Sequence, residues 1–188
     1  MIQNEKYMLR RKVFKLMGAR FDIFDENGVM ILHAAQKAFK LREDIRLYAD
    51  ENKTDEVMLI HTREILDFSA AYDVVDSKTG EKIGAFKRKG WNALVRDEWI
   101  VMDKNDQEIG VCIEDSLGLA LVRRLILNLI PQNYDLMISG VRVADIRQRF
   151  NPFIYKLEID LTQWPSIIDR RIGIAAAVLI AAIEGRQN

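Results

Sequence analysis

Apolar and polar residues alternate with a period of two along much of this chain, the pattern of strands that bury one face. Phe153 to Leu161 shows it best. Phe153, Tyr155, Leu157, Ile159 and Leu161 form one face, and Lys156, Glu158 and Asp160, with Ile154, form the other. A second regularity is a repeat of strand, acidic turn, strand. Its turns carry Asp25, Asp50, Asp76 and Asp103 at near-constant spacing. Each turn is followed by another apolar run, at Val29, Val57, Ile83 and Ile109. Asp, Asn and Gly suit such turns because they tolerate positive φ and bond their own backbone.

The pattern predicts about twelve strands. The first lies near Met8 to Lys15, and nine more begin near Phe21, Val29, Ile45, Glu56, Tyr72, Lys82, Trp99, Glu108 and Tyr134. The eleventh is Val141 to Gln148 and the last Phe153 to Leu161. Many short, evenly spaced strands indicate a barrel or sandwich. Two helices interrupt them. Ser116 to Leu129 is apolar nearly all round, and either closes one end of the barrel or lies against lipid with Arg123 and Arg124 near headgroups. The second runs from about Ile167 to Glu184, with Ser166 as its expected N-cap and Gly185 beyond its C-terminus.

Within that second helix, Ile172 to Ile183 has no polar face. A helix apolar on every side is buried on every side or sits in lipid. This run falls short of the roughly 20 apolar residues that span a bilayer. A surface anchor would carry a strongly charged face, which the run lacks; an oligomer contact is the other competing reading. Its many Gly and Ala residues make a thin cylinder, suited to a lumen enclosed by antiparallel strands. The expected fold is therefore mainly β, an antiparallel barrel around its own C-terminal helix. With no long Pro/Gly/Ser linker, residues 1–188 read as a single domain.

Composition narrows the function. The chain has 188 residues, 28 basic and 28 acidic, so its formal charge is zero. That argues against a dedicated nucleic-acid binder, which gains affinity by neutralising phosphates. One cysteine, Cys112, excludes an internal disulfide and fits a reducing compartment. The expected location is cytoplasmic, with peripheral membrane association left open.

Catalytic motifs are missing: there is no glycine-rich phosphate loop, no His-x-x-x-His pair and no Gly-x-Ser-x-Gly elbow. His33 and His61 read as structural or partly exposed, and Cys112 as a buried inert thiol. The short acidic turns lack the length of a calcium loop. No catalytic residue, metal ion or cofactor is expected. Basic residues, by contrast, cluster at Arg10-Arg11-Lys12, Lys87-Arg88-Lys89, Arg123-Arg124, Arg147 with Arg149, and Arg170-Arg171. Positions i and i+2 of a strand face the same way, so Lys87 with Lys89 and Arg147 with Arg149 form candidate clamps for a lipid headgroup. The competing reading is an ordinary solvated face, salt-bridged to neighbours.

Three stretches then carry a resemblance: Gly140-Val141-Arg142-Val143-Ala144-Asp145-Ile146-Arg147-Gln148-Arg149-Phe150, Tyr155 to Asp160, and Asp169 to Ala177. With the acidic hairpins, they are similar to LURP-one-related and phospholipid-scramblase-like proteins, a group resembling the tubby C-terminal domain. The resemblance runs from about Tyr7 to Gly185. It implies a twelve-stranded barrel enclosing a hydrophobic C-terminal helix. It also implies a non-enzymatic module that binds anionic phospholipid at a membrane surface. The alternative is a protein-interaction or regulatory barrel without lipid specificity. Scramblase-type calcium binding would need a dense acidic segment near the last strand and helix, where this chain has only Asp160 and Asp169.

Overall fold

The computed structural model describes residues 2–14, 18–36, 44–63, 71–89, 98–114, 131–151 and 153–183. Twelve strands and one helix account for most of them. The strands are β1 (Lys6–Phe14), β2 (Gly18–Asp25), β3 (Met30–Gln36), β4 (Ile45–Tyr48), β5 (Glu56–Thr62) and β6 (Ala71–Asp76). They continue with β7 (Lys82–Arg88), β8 (Glu98–Met102), β9 (Glu108–Glu114), β10 (Asn133–Ile138), β11 (Val141–Arg149) and β12 (Tyr155–Asp160). The helix, α1, is Arg171–Ile183. Each strand pairs antiparallel with its neighbours in sequence, and β1 pairs with β12 to close the barrel. Closure removes the exposed edges that an open sheet would present.

The repeat seen in the sequence organises one end of this barrel. The hairpins β2–β3, β4–β5, β6–β7, β8–β9 and β10–β11 all turn there, and each carries a register shift beside its turn. The turn aspartates cap their own loops. Asp25 accepts from the backbone N–H of Asn27 and Val29 (2.9 and 2.8 Å), and Asp103 from those of Asn105 and Gln107 (2.8 and 2.9 Å). Asp50 does the same for Thr54 and Asp55, and Asp76 for Lys78. In the β10–β11 turn, Ser139 and Gly140 both have positive φ (49° and 80°), the conformation of a two-residue hairpin turn.

α1 occupies the lumen. Every residue from Ile172 to Ala182 is buried, and each of its larger aliphatic side chains contributes about 2 kcal/mol by leaving water. The fit depends on bare backbone on both sides. A Cβ on Gly84 of β7 would lie 2.5 Å from Ile172 Cδ1, and one on Gly173 of the helix 2.7 Å from Leu161 Cδ2. The helix begins later than the sequence pattern predicts. Asp169, not Ser166, caps it, accepting from Arg171 N–H at 2.9 Å. Ile167, expected inside the helix, is 92% exposed in the preceding loop. The predicted Ser116–Leu129 helix, Glu184 and Gly185 lie outside the described residues.

A second correction concerns the last strand. Phe153 was expected on its buried face, yet β12 starts at Tyr155 and Phe153 is 90% exposed. The Asn151 side chain accepts from the N–H groups of Phe153 and Ile154 (3.0 and 2.9 Å), which takes both donors out of the ladder.

Candidate functional site

The turn end and the opposite end of the barrel differ in chemistry. Acidic side chains outnumber basic ones along the described turns, and most of these carboxylates already hold a partner through at least one oxygen. Where the connecting loop meets α1, Arg171 donates to Asp76 (2.8 Å) and to both oxygens of Asp169. Arg171 is held above its ordinary pKa by the hydrogen bonds it donates, to Asp169 first and then to Asp76. Asp76 is correspondingly lowered by Arg171. Burial pulls Asp169 upward, but the bonds and charge of Arg171 outweigh it and its pKa is also lowered. Asp160 accepts from the Thr162 backbone and hydroxyl (2.9 and 2.6 Å). Both acidic residues of the segment weighed for calcium are thus engaged, and no metal-ligand cluster occurs among the described residues.

The other candidate reactive groups are occupied as well. His33 Nδ1 lies 2.8 Å from Asp22 Oδ1, both side chains are buried, and Arg20 Nε donates to both Asp22 oxygens. His61 Nδ1 pairs with Asp44 at 2.7 Å on the outer wall. Cys112 faces the interior, and burial, with the charge of Asp135, pushes its thiol up to about 12. A thiol so raised stays protonated and unreactive near neutral pH.

The predicted basic pairs do share faces. Lys87 and Lys89 are both exposed, while Arg88 between them turns inward over the Trp99 ring. Arg147 and Arg149 are also both exposed. Most of these cations have carboxylate partners. Lys89 lies 2.6 Å from Glu98, Arg147 2.5 Å from Asp145, and Arg149 2.5 Å from Glu158. Arg149 is raised above its ordinary pKa by the Glu158 hydrogen bond. Lys87 has no ion pair among the described residues. The two pairs sit on β7 and β11, four strands apart, so they do not form one clamp. Arg123 and Arg124 lie outside the described residues.

A different cationic group emerges from the register. Arg149 on β11 stands opposite Lys156 on β12, and Lys156 stands opposite Arg10 on β1. All three point outward, since their neighbours Leu157 and Leu9 are buried in the lumen. Strand spacing makes this row about 10 Å wide. Lys12 continues the same face of β1, whereas Arg11 between them turns inward and is buried. Arg10, Lys12 and Lys156 form no ion pair among the described residues; Arg10 stands opposite Asp22 of β2, whose carboxylate is held by Arg20 and His33, and lies 4.4 Å from the centroid of the Phe24 ring. Like charges facing each other across strands are destabilising, so Lys156, set between Arg149 and Arg10, works against the pairing there, partly offset by Glu158 at Arg149 and the Phe24 ring at Arg10. The row lies toward the end opposite the turns, as do Lys87 and Lys89. Its last rung, Arg149 with Lys156, leads directly into Phe150 and Phe153, which are 59% and 90% exposed.

Comparison with known proteins fits this architecture. The family model of LURP-one-related proteins matches residues 5–181. The chain belongs to the LURP-one-related family. An X-ray structure of a protein from Arabidopsis thaliana shares the fold, with a TM-score of 0.50 and 15% identity over 97% of this chain and 92% of that one. None of the curated proteins compared matches the sequence. For this LURP-one-related chain, the closed barrel and its enclosed helix are therefore both observed and family-consistent. Among the described residues, no helix is long and apolar enough to cross a membrane.

Proposed function

We propose that this chain is a non-enzymatic, scramblase- and tubby-like module that binds anionic phospholipid at a membrane surface. The observation that carries the reading is the row Arg149–Lys156–Arg10, with Lys12 beside it. These are four outward cations, and among the described residues only Arg149 holds a carboxylate in an ion pair, that of Glu158. A fold that tolerates facing like charges gains when an anion takes the place of the missing acids. Each basic group near an anionic bilayer adds roughly fivefold to affinity. The resemblance to scramblase-like and tubby proteins points the same way. Of the cations first singled out, Arg149 belongs to the row and Lys87 is the further candidate, because Lys89 and Arg147 each hold an acid. The hydrogen-bonded histidines and the buried thiol support the non-enzymatic part of this reading.

Cosedimentation with phosphatidylcholine vesicles, with and without phosphatidylserine, tests the proposal. Binding is expected with phosphatidylserine only, and weakens as salt screens the cations. Failure to sediment with phosphatidylserine vesicles at low salt overturns it and favours a protein-binding role.

A further inference from the structure

We infer that the corner between β11 and β12 is a membrane-insertion tip, with Phe150 and Phe153 entering the bilayer while the cation row stays at headgroup level. This rests on the anionic-lipid reading and adds to it an orientation and an apolar component. Large exposed apolar side chains are few among the described residues, and the two aromatic ones are these. They flank Asn151, whose side chain fixes the corner by accepting from Phe153 and Ile154 N–H. Phe150 directly follows Arg149, and Phe153 precedes Lys156 by three residues. The rings therefore belong to the corner that adjoins the last charged rung, and interfacial elements enter the headgroup and acyl boundary by ~5–10 Å. Phenyl rings this exposed gain nothing in water, and cations beside them disfavour an apolar protein partner. An anionic bilayer satisfies both groups together. The acidic turn end then points away from the membrane, so the charge asymmetry of the barrel sets the approach.

The test places a Phe153→Cys variant, labelled with an environment-sensitive nitrobenzoxadiazole group, against phosphatidylserine-containing vesicles. Buried Cys112 stays unlabelled in the folded protein. A blue-shifted, brighter emission that is quenched by nitroxide-bearing acyl chains is expected. Soluble glycerophosphoserine, which offers the headgroup without chains, is expected to leave the emission unchanged. In parallel, the Phe150→Ala/Phe153→Ala variant should retain its circular dichroism and bind vesicles about tenfold more weakly, with steeper salt dependence. Vesicle binding without the spectral change, or the same change with glycerophosphoserine, overturns the insertion and leaves the lipid reading standing. No vesicle binding by the unlabelled protein at low salt overturns both.

Discussion

The two ends of this barrel spend their polar side chains differently. At the turn end, Asp25, Asp50, Asp76 and Asp103 bond the backbone of their own loops, and Arg171 locks Asp76 and Asp169 together where the helix enters. Charge there is consumed by structure. At the other end, Arg10 and Lys12 are exposed and Lys156 half-buried, none of them in an ion pair among the described residues, and Phe150 and Phe153 are exposed. Charges that the fold leaves without counter-ions, beside exposed rings, mark where something outside the chain is recognised.

The strongest way to break this contrast is charge reversal. Arg10→Glu/Lys156→Glu should lower affinity for phosphatidylserine vesicles about a hundredfold, while Lys53→Glu/Lys104→Glu at the turn end should leave it unchanged. Cosedimentation isotherms for both variants measure the difference, and equal losses would erase the distinction between the ends. Next in size is Arg171→Met, which strands two acids and should cost about 2 kcal/mol, read as a lower melting temperature with unaltered lipid binding.

The pH dependence follows from the same residue. Asp76 and Asp169 have folded pKa values below their unfolded ones. Their stabilisation is thus fully present above about pH 4 and is lost as pH falls through the folded values. In Arg171→Met, melting temperature should fall less steeply over that acid range than in the parent. The smallest effect has the opposite sign. Lys156→Thr relieves the row and should raise stability by about 0.5 kcal/mol in denaturant melts, while weakening vesicle binding. A destabilised Lys156→Thr would show that the row is not under strain.

Much of this was readable in the residues. Twelve strands, the acidic turns and the enclosed apolar helix follow from period-two alternation, turn chemistry and a run without a polar face. Two local misreadings share a cause, a side chain that competes for backbone donors. Asn151 ends the alternation before Phe153 can join β12, and Asp169 starts the helix after Ile167. The candidate site was less legible. The i, i+2 rule placed Lys87 with Lys89 and Arg147 with Arg149 on common faces, but the acids that occupy three of them, apart from Asp145, come from neighbouring strands. Lys156 and Arg10 meet only because the first and last strands pair. No local pattern announces a contact between segments so far apart in sequence.

That same β1–β12 seam has a consequence for biosynthesis. Residues that form the plug follow all twelve staves in the chain, and the staves cannot pack a filled lumen before the plug has been made. The nascent chain must therefore hold twelve strands' worth of greasy inner surface unfilled until the helix emerges, a long-range assembly of the slow, aggregation-exposed kind. Until the plug arrives, the half-made lumen is the apolar surface most exposed to aggregation, quite apart from whatever the finished barrel binds.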